Sequence, residues 1–257
     1  MKYQVNIYKK KGWILLKNVF SKKLMSDIIC EYEKNEHKFI KIQKEKKIYP
    51  KVVDTSHHSF LICRKMIKLL EPSMLTNFLD VFFDSKYILN TMGLSKVKKN
   101  NESLYTKKIH RDIRSFDGSD SLWINTLVML TDSTKINGAT WILERSRHSE
   151  EKPSKEVFFK DAIQVTGKAG DVLIFNGNLW HCAGQNFTNE TRYIITPFFS
   201  KPFIKQQLDY PHFFGSKFFS KKSKHIKQIL GYYARTPKNL EDFYQADSNR
   251  FYRSDQG

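Results

Sequence analysis

Residues 167–199 read GKAGDVLIFNGNLWHCAGQNFTNETRYIITPFF, and the fold turns on how this stretch is parsed. Two apolar runs, Asp171–Phe175 and Thr191–Phe199, are rich in β-branched and aromatic residues. Gly170 precedes the first, and Asn176-Gly177-Asn178 and Asn186 lie between them. Short runs of this kind, punctuated by Gly, Asn, Asp and Ser, are a strand signature. The pattern extends upstream through Ile163–Thr166, Ala139–Leu143, Leu122–Leu130, Leu104–His110 and Tyr87–Met92. Seven such strands after a helical start predict a mainly β fold, a double-sheet barrel with flanking helices.

Further out, residues 12–20 (GWILLKNVF) read as a short strand and turn, with Ser21 capping a helix from Lys22 to about Glu36. Leu24, Ile28, Ile29 and Tyr32 recur at helical spacing. Residues 37–60 are polar and contain histidines, and are expected to form a loop. Leu61–Leu70 is helical in pattern, and Pro72 fits the first turn of a helix over Ser73–Phe83. His57-His58 sit in the polar stretch, where they contact substrate or nothing. Residues 201–257 are basic, aromatic and irregular, with one helix near His225–Leu230. No repeat or linker is visible. One domain over 1–257 is expected: a helical part over about 1–85, a β core over about 86–200 and a C-terminal extension over about 201–257.

The 257 residues include 44 Lys+Arg against 26 Asp+Glu, a net charge of +18. The apolar fraction of 40% with 20 Phe excludes wholesale disorder. No uncharged apolar run is long enough for a membrane-spanning helix, and no secretion signal is read at the N-terminus. Cys30, Cys63 and Cys182 are too few and scattered for a disulfide frame. A cytoplasmic protein is expected. The charge favours anionic partners or a lysine-rich solvated surface, without any nucleic-acid-reading motif.

The chemistry-bearing residues begin with Ile109-His110-Arg111-Asp112. Residues two apart on an extended chain point to the same face, so His110 and Asp112 can chelate one ion. His181, closing Leu179-Trp180-His181, is the best third ligand. Two His and one carboxylate with open positions form the facial triad of non-haem Fe(II) oxygenases. A surface His beside an Asp is the bland alternative. Arg192 follows in an apolar strand, where a buried guanidinium needs a charged partner. That partner is either a carboxylate of the chain or one end of a dicarboxylic co-substrate chelated to the metal.

In these residues the chain resembles the phytanoyl-CoA dioxygenase-like Fe(II)/2-oxoglutarate oxygenases. Four segments carry the likeness: GWILLKNVFSKKLMSDI (12–28), IHRD (109–112), INTLVMLTDSTKINGATWILERSRH (124–148) and residues 167–199. The resemblance implies a double-stranded β-helix (jelly-roll, cupin-like) holding Fe(II) through His110, Asp112 and His181. It implies that Arg192 binds the distal carboxylate of 2-oxoglutarate, with Asn125 and Arg111 as further co-substrate contacts and O₂ at the last open position. Leu127 stands where members often carry Trp, and Arg111 where they often carry Gln. The implied reaction is hydroxylation or another oxidation of an unactivated carbon, with release of succinate and CO₂. The basic surface points to a small anionic metabolite, with Arg114 as the candidate substrate contact. Two other functions compete: a catalytically inactive β-helix module holding an anionic partner, and a nucleic-acid-modifying oxygenase.

Overall fold

The computed structural model describes residues 1–49, 54–100, 107–113, 122–149 and 151–257. Helix α1 (Lys2–Lys11) ends at Gly12, whose left-handed backbone turns the chain straight into strand β1 (Trp13–Leu16). Helix α2 (Lys22–Glu45) starts where Ser21 Oγ accepts from the Leu24 amide at 3.2 Å. It runs nine residues beyond Glu36, through sequence expected to be a loop, and strand β2 (Thr55–His57) follows it. Tertiary contacts explain the extension. Phe39 is buried, Gln43 donates to the Thr55 carbonyl, and Glu36 pairs with Lys96 on strand β3 (Ile88–Val97).

Leu61–Leu70 forms 3₁₀ turns (Ser59–Leu61 and Arg64–Leu70) rather than an α-helix. Helix α3 (Met74–Phe83) opens with a capping box between Ser73 and Thr76, so Pro72 precedes the cap instead of occupying the first turn.

Strands β4 (Trp123–Met129), β5 (Thr140–Ile142), β6 (Ile163–Val165), β7 (Val172–Phe175) and β9 (Arg192–Ser200) match the expected runs, and β8 (His181–Cys182) is a short strand not expected among them. Of the expected strand over 104–110, residues 104–106 lie outside the described residues, and His110 forms an isolated bridge. Among the described residues the strands make two antiparallel sheets, ordered β1-β7-β4-β9-β3-β2 and β6-β5-β8. The sheets face each other: Leu127, Leu173, Phe175 and Ile194 of the larger pack against Ile142 and Val165 of the smaller. This is the expected jelly-roll. Because β1 and β2 join the larger sheet, the β architecture reaches outside 86–200.

Gly170 stitches the N-terminal segment to this core. Its carbonyl accepts from the amides of Val19 and Phe20, and its φ is +94°. A Cβ there would lie 2.1 Å from the Phe20 carbonyl oxygen, so only glycine fits.

Helix α4 (Lys155–Asp161) flanks the smaller sheet, where Phe158 packs with Trp180 and Cys182. The extension contains α5 (Tyr210–Ser220), kinked at Gly215, then α6 (Lys224–Ile229) and α7 (Leu240–Phe243). Part of its aromatic run is internal: Phe219 and Tyr210 are fully buried, while Phe213 is exposed. They join one apolar cluster with Tyr8, Met25, Phe78, Ile124 and Phe199.

Candidate metal centre

Two short backbone pairings gather residues distant in sequence. His110 and His181 exchange both amide-to-carbonyl bonds at 3.0 Å in an antiparallel bridge. The pair puts both rings on one face, with centroids 4.3 Å apart. Two residues on, the Asp112 amide donates to the Gly177 carbonyl at 3.0 Å, which holds the chain extended and turns Asp112 to the same face. One ligand atom each from His110, Asp112 and His181 then lie within 4.8 Å of one another.

Hydrogen bonds define how the rings present themselves. His110 Nδ1 lies 2.7 Å from the Lys108 carbonyl, and His181 Nδ1 lies 2.9 Å from the Leu179 carbonyl. A carbonyl only accepts, so in each ring Nδ1 carries the proton and Nε2 is the outward atom. Those Nε2 atoms stand 3.4 and 3.5 Å from the two oxygens of Asp112. With both rings neutral, three lone-pair donors converge on one point, and only a cation or an added proton relieves them. Backbone carbonyls fixing Nδ1–H are the usual outer support of metal-bound histidine. Two nitrogens and a carboxylate suit Fe(II) among the first-row ions.

The electrostatics agree with that geometry. Burial by itself would raise the Asp112 carboxyl, but the neighbouring His181 and His110 imidazoles outweigh it and hold it below the usual carboxylate range. Burial pulls the His181 imidazole down and Asp112 pulls it up, with a net upward shift. Asn125 on β4 donates from Nδ2 to Asp112 Oδ2, while its own Oδ1 is buried without a partner among the described residues. Asn125 therefore fixes the carboxylate that sequence reasoning gave only to the metal.

Asp112 and Asn125 open onto a cavity of about 220 Å³. His57, Thr91, Gly93, Thr126, Phe175, Thr196, Pro197, Phe198 and Gln207 complete its walls. Three larger clefts among the described residues, two of about 530 Å³ and one of about 440 Å³, share no lining residue with it and include no triad residue.

Arg192 opens β9 on the inner face of the larger sheet, the face it shares by alternation with Thr196, Phe198 and Asn125. The residue is 1% exposed. Its Nη1 lies 3.5 Å from Ser133 Oγ, and its Nε and Nη2 have no hydrogen-bond partner among the described residues. Among the described residues no carboxylate pairs with it. Burial lowers the guanidinium to about 10, so it is still a cation at neutral pH. A buried cation with two unused N–H donors is the arrangement an incoming carboxylate would complete.

Arg111 points the other way from its neighbours. Its guanidinium lies 4.3 Å above the Trp180 ring, and it is not among the cavity-lining residues. Arg114 lies outside the described residues. Cys182 packs in the core as expected, and all three cysteines are free. His57, read in sequence as contacting substrate or nothing, lies in the cavity wall, whereas Gln207 was missed because nothing local marked it.

A profile of the family described as Phytanoyl-CoA dioxygenase (PhyH) matches residues 8–194. The chain belongs to the phytanoyl-CoA dioxygenase family. It is 33% identical over 134 residues to an uncharacterised protein of Mycobacterium tuberculosis, covering 52% of this chain and 49% of that protein. It is 26% identical over 150 residues to a dioxygenase of Alternaria alternata, covering 55% and 48%. A dioxygenase of Aspergillus terreus is 26% identical over 207 residues, covering 74% and 70%. The chain thus spans about half the length of the first two of these relatives. In fold it resembles the non-heme alpha ketoglutarate dependent epimerase SnoN from nogalamycin biosynthesis, with a TM-score of 0.60 at 17% identity, over 77% of this chain and 81% of that one. The carbocyclase SnoK from the same biosynthesis gives a TM-score of 0.59 at 13% identity, over 78% and 84%. Among the described residues, no helix of this family member is long and apolar enough to cross a membrane.

Proposed function

We propose that this protein is an Fe(II)- and 2-oxoglutarate-dependent dioxygenase that hydroxylates, or otherwise oxidises, an unactivated carbon of a small anionic metabolite and releases succinate and CO₂. The observation that carries the reading is the convergence of His110 Nε2, His181 Nε2 and the Asp112 carboxylate beside a cavity. Family membership and the dioxygenase names of its relatives support it. His110, Asp112 and His181 would hold the iron, which supplies O₂ activation coupled to decarboxylation of the co-substrate.

The rest is the work of the chain's own side chains. Lys108 and Leu179 carbonyls keep Nδ1 protonated in both rings, so each Nε2 stays available as a ligand. Asn125 Nδ2 fixes the rotamer of Asp112. Arg192 offers two free donors to the distal carboxylate of 2-oxoglutarate from a dry environment, where a charge-assisted pair is strongest. Asn125 Oδ1 and Arg111 are further candidates for placing the co-substrate, Arg111 through its seat on Trp180. The charge of +18 supports the anionic part of the reading, because it raises the local concentration of anions.

Anaerobic addition of Fe(II) and then 2-oxoglutarate tests this directly. The wild type should develop a weak visible metal-to-ligand charge-transfer band, and Arg192→Ala should need at least about tenfold more 2-oxoglutarate to reach it. An identical titration of the two proteins removes Arg192 from the role.

A further inference from the structure

Beyond residue 194, where the family match ends, the chain returns to the cavity. The register of β3 against β9 slips between Leu89 and Thr91, leaving Asn90 as the extra residue of a β-bulge. Asn90 is buried, and it clamps the segment that follows β9. Its side chain donates to the Lys205 carbonyl at 2.9 Å, and its carbonyl accepts from the Gln207 amide and the Tyr210 hydroxyl at 3.3 and 3.1 Å. Tyr210 Oη, donating there, receives His58 Nδ1 at 3.0 Å from the end of β2. The bulge thus ties β2 and the C-terminal extension into one wall and seats Gln207 at the cavity.

Gly93 lies in the same wall, in mid-strand. Its backbone is not left-handed, and the nearest atoms to an added Cβ would be His57 Nδ1 at 3.6 Å, the Ser56 carbonyl at 3.6 Å and Thr196 Oγ1 at 3.8 Å. Neither conformation nor close packing requires a glycine. What its missing side chain leaves is a notch between His57 and Thr196, and an interior strand glycine of this kind marks a place of close approach. The His57 side chain, exposed beside the notch, makes no hydrogen bond to any described residue, and desolvation lowers its pKa. Among the described residues the side chains of Thr91 and Gln207 likewise find no hydrogen-bond partner, whereas Thr126 Oγ1 donates to the Pro197 carbonyl.

We propose that His57, beside the Gly93 notch, and Gln207, in the same cavity wall, form the substrate-recognition wall and hold a neutral hydroxyl, carbonyl or amide group of the substrate beside the triad. The proposal rests on the oxygenase reading for its meaning, since it places the substrate's reacting end, while an anionic group elsewhere on the substrate would face the basic surface. Gly93 sets the width of the wall, and Asn90 is a positioning residue acting through the 205–210 segment.

Cyclohexanol and cyclohexanecarboxamide serve as probes, with cyclohexanecarboxylate as the charged counterpart, titrated by ligand-observed NMR against the full chain. The two neutral probes should bind more tightly than the carboxylate. Gln207→Ala and Gly93→Val should each weaken their binding about tenfold, the loss of one hydrogen bond or of the notch. Gly93→Ala, whose Cβ finds ordinary contacts, keeps the test valid if valine perturbs folding, and should weaken binding in the same direction. Preference for the carboxylate, or neutral-probe binding that ignores all three substitutions, overturns the proposal. The Fe(II)/2-oxoglutarate band is recorded on the same samples. Its absence from the wild type sinks the oxygenase reading while the probe titration still judges the wall. Its loss only in the notch variants assigns the wall to the co-substrate and overturns the proposal.

Discussion

At the scale of single residues, Arg192 carries a conflict between stability and function. A buried guanidinium with two unused donors costs folding free energy until an anion arrives. Arg192→Met should therefore raise the melting temperature of the ligand-free protein while removing the stabilisation that Fe(II) with 2-oxoglutarate gives the wild type, both read by thermal denaturation. Gly170 carries no such trade. Gly170→Ala forces a positive φ and a clash with the Phe20 carbonyl, and should cost at least about 2 kcal/mol in chemical denaturation. The triad residues could be picked out in sequence because His-x-Asp on extended chain puts both side chains on one face and because the order of segments resembling the family pointed to His181. Arg111 was not legible. The alternation that sends His110 and Asp112 to one face sends it to the other, and only the fold shows that Trp180 waits there. Gln207 could not be found from its neighbours, since a bulge on another strand places it.

Among elements, α2 shows how local polarity misleads. Residues 37–45 look like a solvated loop, yet the helix continues because β2 and β3 give its polar face partners. Lys96 is the center of that docking, buried between Glu36 and Asp54, so the lysine run 96–99 is not uniformly a solvated surface. Lys96→Ala strands the Glu36 carboxylate beside a buried Asp54 and should destabilise by about 3 kcal/mol in urea titration. The β2 end is also sensitive to pH. Burial lowers the imidazoles of both His58 and His57, with His57 further lowering His58. Below about 6.5 the unfolded chain takes up protons that the folded state refuses, so stability falls as pH drops through that value and is full above it. Replacing His58 with Gln should flatten the pH dependence of the melting temperature between 7 and 5.

For the whole molecule, the apolar cluster that runs from Tyr8 through Ile124 to Phe219 argues that the extension is structural. We propose that residues 1–257 fold as one unit. Calorimetry should give a single transition, and a chain ended at residue 200 should fail to give any cooperative one, because Tyr210, Phe219 and Ile229 would leave the core. The two-sheet architecture was readable from strand punctuation alone. The contribution of β1 and β2 to the larger sheet was not, since strands of four and three residues carry too little pattern to reveal their partners.

The central claim is that one ferrous ion sits among His110, Asp112 and His181. Anomalous diffraction at the iron edge from anaerobically loaded crystals tests it most directly. A single iron peak within bonding distance of both Nε2 atoms and the Asp112 carboxylate is the predicted result. A peak elsewhere, or one that any of the three side chains fails to reach, contradicts it.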